Sequence, residues 1–295
     1  MLLAHHPAGL TTTGRIQPRP GWPELAAASG IAPGTLTTGW DDQITAERAR
    51  LLATPGGYNE PRLAPASWHH NGHAQLTLQV YVTDYAAWQV ARRRWHTLEP
   101  SARAQLPAGR QPVPLFTQAV SLSATVLTAD RQLVLTRRAA TLSYAGCWLS
   151  SAAEGLTPAD APGGTLDLRS AARRAAAEEL GLTGDLPARV HALVYNPDGP
   201  CLEVTTSIDL TGTDITYADV VHAHQSAPDG WEAAELAPLP LTVAAVRAAC
   251  ARRDWMPAGR VHVAITAADH LGIDIAALLP DGAVHRPHTA GQRIS

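Results

Sequence analysis

The segment over residues 166–182 constrains the fold more than any other part of the sequence. Its apolar residues recur at helical spacing and would form one stripe: Leu168, Ala172, Ala176 and Leu180. Asp167 is placed to cap the start of such a helix, and Gly181 is placed to end it, because glycine accepts left-handed backbone. We therefore predict an amphipathic helix over Asp167–Leu180 that packs its apolar stripe against other elements.

Segments with strand patterns flank this helix on both sides. Apolar or alternating runs predict four strands, namely Gln118–Thr128, Gln132–Thr136, Arg189–Tyr195 and Leu202–Leu210. A further helix is predicted over Thr242–Arg253. Strands, one dominant helix, more strands and a closing helix predict an α/β (α+β) sandwich.

The first part of the chain has a weaker pattern. Residues 1–40 are rich in Pro, Gly and Thr, which predicts loops with little regular structure. Beyond them the pattern predicts helices over Gln43–Thr54 and Tyr85–His96 and a strand over His73–Thr83. The Pro-rich stretch Pro107–Pro114 is the best candidate boundary. We expect an N-terminal α/β domain over residues 1–114 and a second domain over residues 115–295.

The composition lacks one residue type entirely: none of the 295 residues is lysine, and all 23 positive side chains are arginine. Walker-type phosphate loops, protein kinases and pyridoxal phosphate enzymes all need a lysine, so these classes are excluded. A bound phosphate must therefore be held by arginine, backbone N–H groups or a metal. Codon bias in a GC-rich bacterial genome is the preferred explanation of the absence, because Phe also occurs only once.

Charge and cysteine content exclude further classes. A formal net charge of −3 without a basic tract argues against nucleic-acid binding. The three cysteines, Cys147, Cys201 and Cys250, have no paired spacing, so neither a disulfide framework nor a zinc site is indicated. No signal peptide and no apolar run of about 20 residues is evident. We expect a cytoplasmic protein that binds neither membranes nor nucleic acid.

The predicted central helix also carries clustered charges. Arg174 and Glu178 are four residues apart on one face, and Glu179 follows directly. Divalent cations prefer clustered carboxylate oxygens, and a magnesium held this way can bind a diphosphate and orient an attacking water. The alternative is an Ala-rich surface helix with an Arg–Glu pair, which is worth only a few tenths of a kcal/mol.

The surroundings of these charges resemble the Nudix box, whose pattern is G, five residues, E, seven residues, R-E-U-x-E-E-x-G-U. Four positions match it: Arg174, Glu178, Glu179 and Gly181. Upstream, Trp148–Gly155 is similar to the family's W-x-x-S-x-x-E-G glycine loop, and Trp231–Leu236 is similar to its late W-x-x-x-E-L segment. The resemblance implies a Nudix-fold α/β/α sandwich with an N-terminal mixed α/β extension.

The same resemblance implies the site residues and the cofactor. Carried over position by position, the catalytic residues are Arg174, Glu178 and Glu179, and the metal ligands are Glu154, Glu178 and Glu179. Glu154 would contribute its backbone carbonyl, and the metal would be Mg²⁺ or Mn²⁺. With lysine absent, Arg137 and Arg138 at the end of the predicted hairpin are the first candidates to bind the diphosphate.

The sequence departs from the family pattern in three places. Ala175 replaces the glutamate after the arginine, and Leu166 stands where the upstream glutamate is expected. Asp167 could substitute for that glutamate, although a capping role is preferred. From Gly155 to Arg174 is 19 residues against 14 in the pattern. A base outside the box would come from one of four carboxylates: Asp229, Glu232, Glu235 or Glu203.

More of the chain resembles the Nudix proteins that hydrolyse UDP-glucose and UDP-galactose. The similarity covers Trp40–Thr45, Arg62-Leu63, Leu76–Tyr85 and the tail around Trp255. It implies attack of water on a UDP-sugar to give UMP and a sugar 1-phosphate, in a family that often forms homodimers. Two alternatives stay open: a Nudix-fold nucleotide-binding or regulatory protein with impaired turnover, and a biosynthetic enzyme acting on another diphosphate.

Histidines outside the box receive a structural interpretation. Trp68–His73 contains three histidines that could bind a metal, but surface loops carry such residues freely. His222 and His224 lie near the late acidic segment and could bind phosphate. For each of them a structural or solvated role is the preferred hypothesis.

Overall fold

A computed structural model describes residues 1–31, 38–54, 57–106, 113–196, 198–252 and 254–280, apart from the side chains of residues 100, 104 and 105. Most of the Pro-rich stretch Pro107–Pro114 lies outside the described residues. The domain boundary after residue 114 therefore stays a prediction.

A mixed sheet of eight strands forms the centre of the described structure. Its strands are β1 (Leu2–His5), β5 (Val120–Leu127), β6 (Gln132–Arg138), β7 (Trp148–Leu149), β8 (Ala152–Gly155), β9 (Ala188–Asn196), β10 (Cys201–Asp209) and β11 (Ala233–Pro240). The order is β1-β9-β10-β5-β6-β11, with β7 paired to β6 and β8 to β5. Only β10 and β5 run parallel to each other; the other pairs are antiparallel.

A second sheet of three strands is built from the first part of the chain. Its strands are β2 (Thr11–Ile16), β3 (Pro61–His70) and β4 (Gln75–Asp84), in the order β2-β4-β3. The prediction that residues 1–40 are mostly loops is therefore wrong. β1 pairs with β9, almost 190 residues further along the chain, and such long-range pairing stabilises strands that are too short to show a sequence pattern.

Helices cover both faces of the large sheet. In the part of the chain that the structure describes they are α1 (Trp22–Ala28), α2 (Trp40–Ala53), α3 (Tyr85–Thr97), α4 (Pro100–Gln105), α5 (Leu168–Leu180), α6 (Tyr217–His224), α7 (Val243–Cys250) and α8 (Gly259–Leu271). α5 contacts β5, β9 and β10 on one face, and α8 contacts the same strands on the other. The predicted α/β sandwich with an N-terminal mixed extension is confirmed. Among the described helices, none is long and apolar enough to cross a bilayer.

α5 forms where the sequence predicts it. The Asp167 carboxylate accepts hydrogen bonds from the backbone N–H groups of Arg169 and Ser170, both at 3.1 Å, so Asp167 is the N-cap. Gly181 ends the helix with φ +71°, and a Cβ there would lie 2.4 Å from the carbonyl oxygen of Ala223. Glycine at this position is therefore required both by the backbone conformation and by the close approach of α6.

The three-stranded sheet shares a hydrophobic core with α5 and the large sheet. Leu63 and Leu78 from the small sheet belong to the same buried cluster as Leu122 on β5 and Leu168 on α5. The backbone N–H of Leu63 also donates to the carbonyl of Leu156 at 2.8 Å. These contacts place the start of β3 directly beside the end of β8.

Candidate functional site

Arg174 is the centre of a charged cluster at the surface of α5. Its Nε and Nη2 donate to the two carboxylate oxygens of Asp160, each at 3.0 Å. Its Nη1 donates to Glu178 Oε2 at 2.7 Å and also to Glu154 Oε2. One guanidinium therefore joins three acidic side chains that come from α5, from β8 and from the short 3-10 helix Pro158–Asp160.

The Asp160 carboxylate binds Arg174 within the protein and so is not free to bind a ligand. Its side chain is only 3% exposed, and Oδ2 accepts additional hydrogen bonds from the N–H and hydroxyl of Thr157. Both of its oxygens are thus occupied within the protein. A buried carboxylate bound in a two-bond fork fixes the orientation of the arginine, and with it the positions of Glu154 and Glu178.

Glu179 lies on the neighbouring face of α5 and is buried. Its Oε1 accepts a hydrogen bond from the backbone N–H of Ala153 on β8 at 2.8 Å. α5 and β8 are therefore connected twice, by Glu179 to Ala153 and by Arg174 to Glu154. The backbone of α5 is held in turn at its C-terminal end, where His224 Nδ1 contacts the carbonyl of Glu179 at 2.8 Å.

Two acidic side chains at this site, Glu154 and Glu179, hold protons more tightly than free carboxylates do. Burial and the contact with Glu178 raise the pKa of Glu154 to about 8, although Arg174 opposes the change. Burial, followed by repulsion from Glu154 and Glu232, raises the pKa of Glu179 well above its usual value. A cation that replaced these protons would relieve the repulsion, and this is the electrostatic behaviour expected of a cation site.

The donor atoms suit a hard divalent cation in part. Glu154 Oε1, Glu178 Oε1 and Glu179 Oε2 accept no hydrogen bond from an N–H or hydroxyl of the described residues, while their partner oxygens are occupied. No three His, Cys, Asp or Glu side chains of the described chain enclose a point where a metal ion fits. Mg²⁺ is commonly held by one or two carboxylates plus water and substrate phosphates, so the residues fit such an open site.

The two predicted diphosphate-binding arginines lie in different surroundings. Arg138 is mostly buried, donates to the carbonyl of Ser143 at 3.0 Å and lies 3.7 Å from a Glu232 oxygen, so it borders the acidic cluster. Arg137 is more exposed and pairs with Glu235 at 3.4 Å. Only Arg138 is therefore placed to reach a ligand that contacts Glu179. The substrate-binding roles of both stay predictions.

The structure ranks the four candidate bases. Glu232 lies near Glu179 and Arg138, and burial raises its pKa. Glu203 bonds His262 Nε2 of α8 at 2.6 Å, on the face of the sheet opposite α5. Asp229 accepts a hydrogen bond from the indole N–H of Trp231 at 3.3 Å, and Glu235 is exposed and pairs with Arg137. We therefore prefer Glu232 among the four, because its carboxylate lies beside Arg138 and Glu179.

The structure accounts for the departures from the box. Ala175 and Leu166 are buried in the core between α5 and the two sheets, and Asp167 is the N-cap. A glutamate at position 175 would place an additional charge in that core, where burial of an unpaired charge is costly. Ala175→Glu therefore does not test the chemistry of the cluster, because it would disturb folding first.

The histidines of Trp68–His73 lie where β3 ends and the turn to β4 begins. His70 Nε2 contacts the carbonyl of His73 at 2.6 Å, and the Asn71 side chain accepts from the N–H of His73 at 2.9 Å. This arrangement is a turn with local hydrogen bonds, which agrees with the preferred structural role.

Sequence reasoning missed the contribution of the N-terminal region. Arg62 at the start of β3 donates to the carbonyl of Gly155 at 3.0 Å, immediately after Glu154. The sequence also predicts only a backbone role for Glu154, whereas the Glu154 carboxylate contacts Arg174 in the structure. Neither contact has a local sequence pattern, because each joins residues that are far apart in the chain. The one available signal was the acidic side chain of Glu154 itself.

Comparisons with known proteins give only distant likenesses. No protein-family model matches the chain. No curated protein matches it either. The solved structure of DR0079 from Deinococcus radiodurans is 16% identical with a TM-score of 0.35, over 50% of this chain and 82% of that protein.

Two further solved structures are of a bifunctional NMN adenylyltransferase/ADP ribose pyrophosphatase from Francisella tularensis. The one complexed with AMP and a manganese ion is 14% identical with a TM-score of 0.34, over 52% of this chain and 41% of that one. The other is 13% identical with a TM-score of 0.32, over 49% and 39%. The chain thus spans about two fifths of the length of that bifunctional enzyme. None of these likenesses identifies the activity of this chain.

Proposed function

We propose that this protein is a metal-dependent hydrolase that cleaves the diphosphate of a nucleoside diphosphate derivative. The observation that supports it is the pairing of Glu154 and Glu178 with Arg174 beside the buried Glu179, with burial and repulsion between carboxylates that raise the pKa of Glu154 and of Glu179. The resemblance of this segment to the Nudix box supports the same reaction class. UDP-glucose is the first substrate to test, following the similarity in the N-terminal half.

One or two carboxylates from the set Glu154, Glu178 and Glu179 would hold the Mg²⁺ or Mn²⁺ ion, and water and substrate phosphates would complete its shell. When bound, such an ion neutralises diphosphate charge and makes a coordinated water more acidic. Arg174 keeps Glu154 and Glu178 in position through its fork to Asp160. Arg138, next to Glu232, is the arginine best placed to bind a phosphate oxygen.

Glu232 is the side chain we assign to proton transfer. Burial raises its pKa above the usual value, which is the direction that favours proton transfer by a carboxyl group. The positive charge of Arg138 opposes that increase in the pKa of Glu232. The substrate would then lie between Glu232 and the α5 carboxylates.

The test is turnover of a panel of diphosphates with Mg²⁺ or Mn²⁺, followed by phosphorus NMR. UDP-glucose, ADP-ribose, a dinucleotide and a prenyl diphosphate cover the relevant leaving groups. We expect at least one nucleoside derivative to give two monophosphates, and Glu178→Gln or Glu179→Gln to abolish most of the rate. Glu235→Gln is the matched control, because Glu235 is an exposed glutamate outside the cluster. Equal rates in all three variants would refute the assignment.

A nucleotide-binding protein without turnover is the second candidate. It is favoured by one observation, the buried Ala175 at a position where the family pattern has a glutamate. This candidate predicts a thermal shift with a nucleotide sugar and no product. Product formation that depends on Glu178 and Glu179 would exclude it.

A further inference from the structure

A run of aromatic rings lies in the N-terminal region next to the acidic cluster. Tyr58 stacks on Tyr85 with ring centroids 5.0 Å apart and planes inclined by 29°. Trp88, one turn further along α3, has its ring 5.4 Å from that of Tyr85. We call Tyr58, Tyr85 and Trp88 the aromatic run. Its residues come from the segment before β3 and from α3, not from the elements that carry the carboxylates.

Two guanidinium groups border the aromatic run. Arg62 Cζ lies 5.8 Å from the centroid of Tyr85, and Arg92 Cζ lies 5.5 Å from that of Trp88. Arg92 also donates to the hydroxyl of Tyr144 at 3.3 Å, and it pairs with no carboxylate of the described residues. Arg62 also pairs with Glu60 at 3.3 Å, so Arg92 is the group beside the run that most favours a flat ligand carrying negative charge nearby.

The aromatic run is connected directly to the proposed diphosphate site. Arg62 joins the two, because it lies over Tyr85 and donates to the carbonyl of Gly155, the residue that follows Glu154. Tyr58 and Glu232 are also close enough for the carboxylate to influence the phenol. A ligand with its phosphates near Glu154 and Glu232 would therefore have the run within reach of its remaining part.

The outer end of the run is open. Tyr58 is 45% exposed and Trp231 is 58% exposed, and these are the two exposed aromatic side chains of the described chain. One face of Tyr58 is against Tyr85, while Trp231 directly precedes Glu232. The exposed part of the Tyr58 ring is therefore the aromatic surface that a ligand at this end of the run can contact.

We infer that Tyr58 binds the purine or pyrimidine base of a nucleotide, which stacks on its open face and extends the aromatic run. This assignment rests on the proposed function for the position of the diphosphate. Stacking accepts any base, because every base presents a π-face, so the site selects nucleotides over sugar phosphates without strong preference among bases. A prenyl diphosphate or a sugar diphosphate lacks the flat aromatic ring that such a stack needs.

The test is equilibrium dialysis of the full chain, without added metal, against AMP, UMP and ribose 5-phosphate. We expect AMP and UMP to bind at least about tenfold more tightly than ribose 5-phosphate, which has the sugar and phosphate but no base. Tyr58→Leu should reduce the affinity for AMP and UMP by about tenfold or more and leave that for ribose 5-phosphate unchanged. Tyr58→Phe, which keeps the ring, should behave like the unmodified protein.

Tyr217→Leu is the matched control, because Tyr217 packs on a separate hydrophobic cluster around α6. Equal affinities for AMP and ribose 5-phosphate, or equal losses in Tyr58→Leu and Tyr217→Leu, would overturn the inference. Failure of the proposed function looks different: AMP binding would still depend on Tyr58, but no diphosphate would be hydrolysed. Conversely, hydrolysis of UDP-glucose or ADP-ribose with a KM unchanged in Tyr58→Leu would refute this inference alone.

Discussion

Replacement of Arg174 by methionine tests whether the charged cluster is a buried network or a set of weak surface pairs. The substitution keeps most of the aliphatic side chain and removes the guanidinium that binds Asp160, Glu154 and Glu178. A surface helix with an Arg–Glu pair would lose only a few tenths of a kcal/mol. The two descriptions of α5 therefore predict different free energies of unfolding.

The expected magnitude follows from the burial of each partner. Removing one partner of a buried ion pair costs about 3–5 kcal/mol, because the remaining charge loses its compensation. Asp160 is 3% exposed but keeps its hydrogen bonds from Thr157, and Glu178 is 37% exposed and stays hydrated. We therefore expect a loss near the lower end, about 3 kcal/mol, or roughly 6–10 °C in Tm.

Urea denaturation at pH 8 measures this loss, and the neighbouring residue supplies the control. Arg173 pairs with Asp185, which is 92% exposed, and donates to the carbonyl of Leu186 at 2.7 Å, so Arg173→Met should cost about 1–2 kcal/mol. Adding Asp160→Asn to Arg174→Met should restore part of the stability, because the stranded carboxylate becomes neutral. Equal losses for the two arginine variants, or a further loss with Asp160→Asn, would refute the buried-network description.

Three further predictions concern proton binding, α8 and the end of α5. Glu154 binds its proton more tightly in the folded chain than in the unfolded one, so its contribution to stability is complete below pH 4.5 and is lost as the pH rises through about 8. Urea midpoints measured from pH 5 to 9 should therefore fall, and they should fall less steeply in Glu154→Gln. A rise in the midpoints would contradict this prediction. Asp269 is a residue of α8 whose buried carboxylate bonds His191 at 2.6 Å and His5 at 2.9 Å, so Asp269→Asn should cost about 3 kcal/mol in the same assay. Asp254→Asn, in an exposed pair, should cost about 1 kcal/mol or less, and equal losses would contradict the assignment of Asp269 as a buried anchor of α8. Gly181→Ala should lower the Tm more than Gly163→Ala. Both positions have positive φ, but of the two only the Cβ added at position 181 would lie 2.4 Å from a backbone carbonyl oxygen. Tm values in the reverse order would show that this contact relaxes freely.

The sequence predicts the sandwich because its main elements carry local signals. α5 has a capping aspartate, a buried stripe and a terminal glycine, and all three appear in the structure as expected. The strand-to-helix junction at Asp84 is similar, since its carboxylate accepts from the N–H of Ala87 at 2.9 Å. Such signals act within a few residues and so are visible without knowledge of the fold.

The elements that the sequence did not predict depend on distant partners. β1 and β2 are short and are stabilised by pairing with β9 and β4. The hydrogen bond from Arg62 to Gly155 joins residues 93 positions apart, and the partnership of Arg174 with Asp160 depends on the inserted loop. The sequence can therefore suggest individual residues of the candidate site. Only the tertiary structure shows that these residues lie close together.

Titration of the metal-free protein with Mn²⁺, followed by the loss of the free-ion signal in electron paramagnetic resonance, tests the central claim most directly. We predict that the chain binds Mn²⁺ at pH 8.5 and that affinity falls as the pH drops below about 8, because Glu154 then regains its proton. Glu178→Gln and Glu179→Gln should weaken binding by at least about tenfold, since affinity follows the number of charged ligands, while Glu235→Gln should not change it. Absence of binding, or binding equally strong in all three variants, would contradict a cation site on α5.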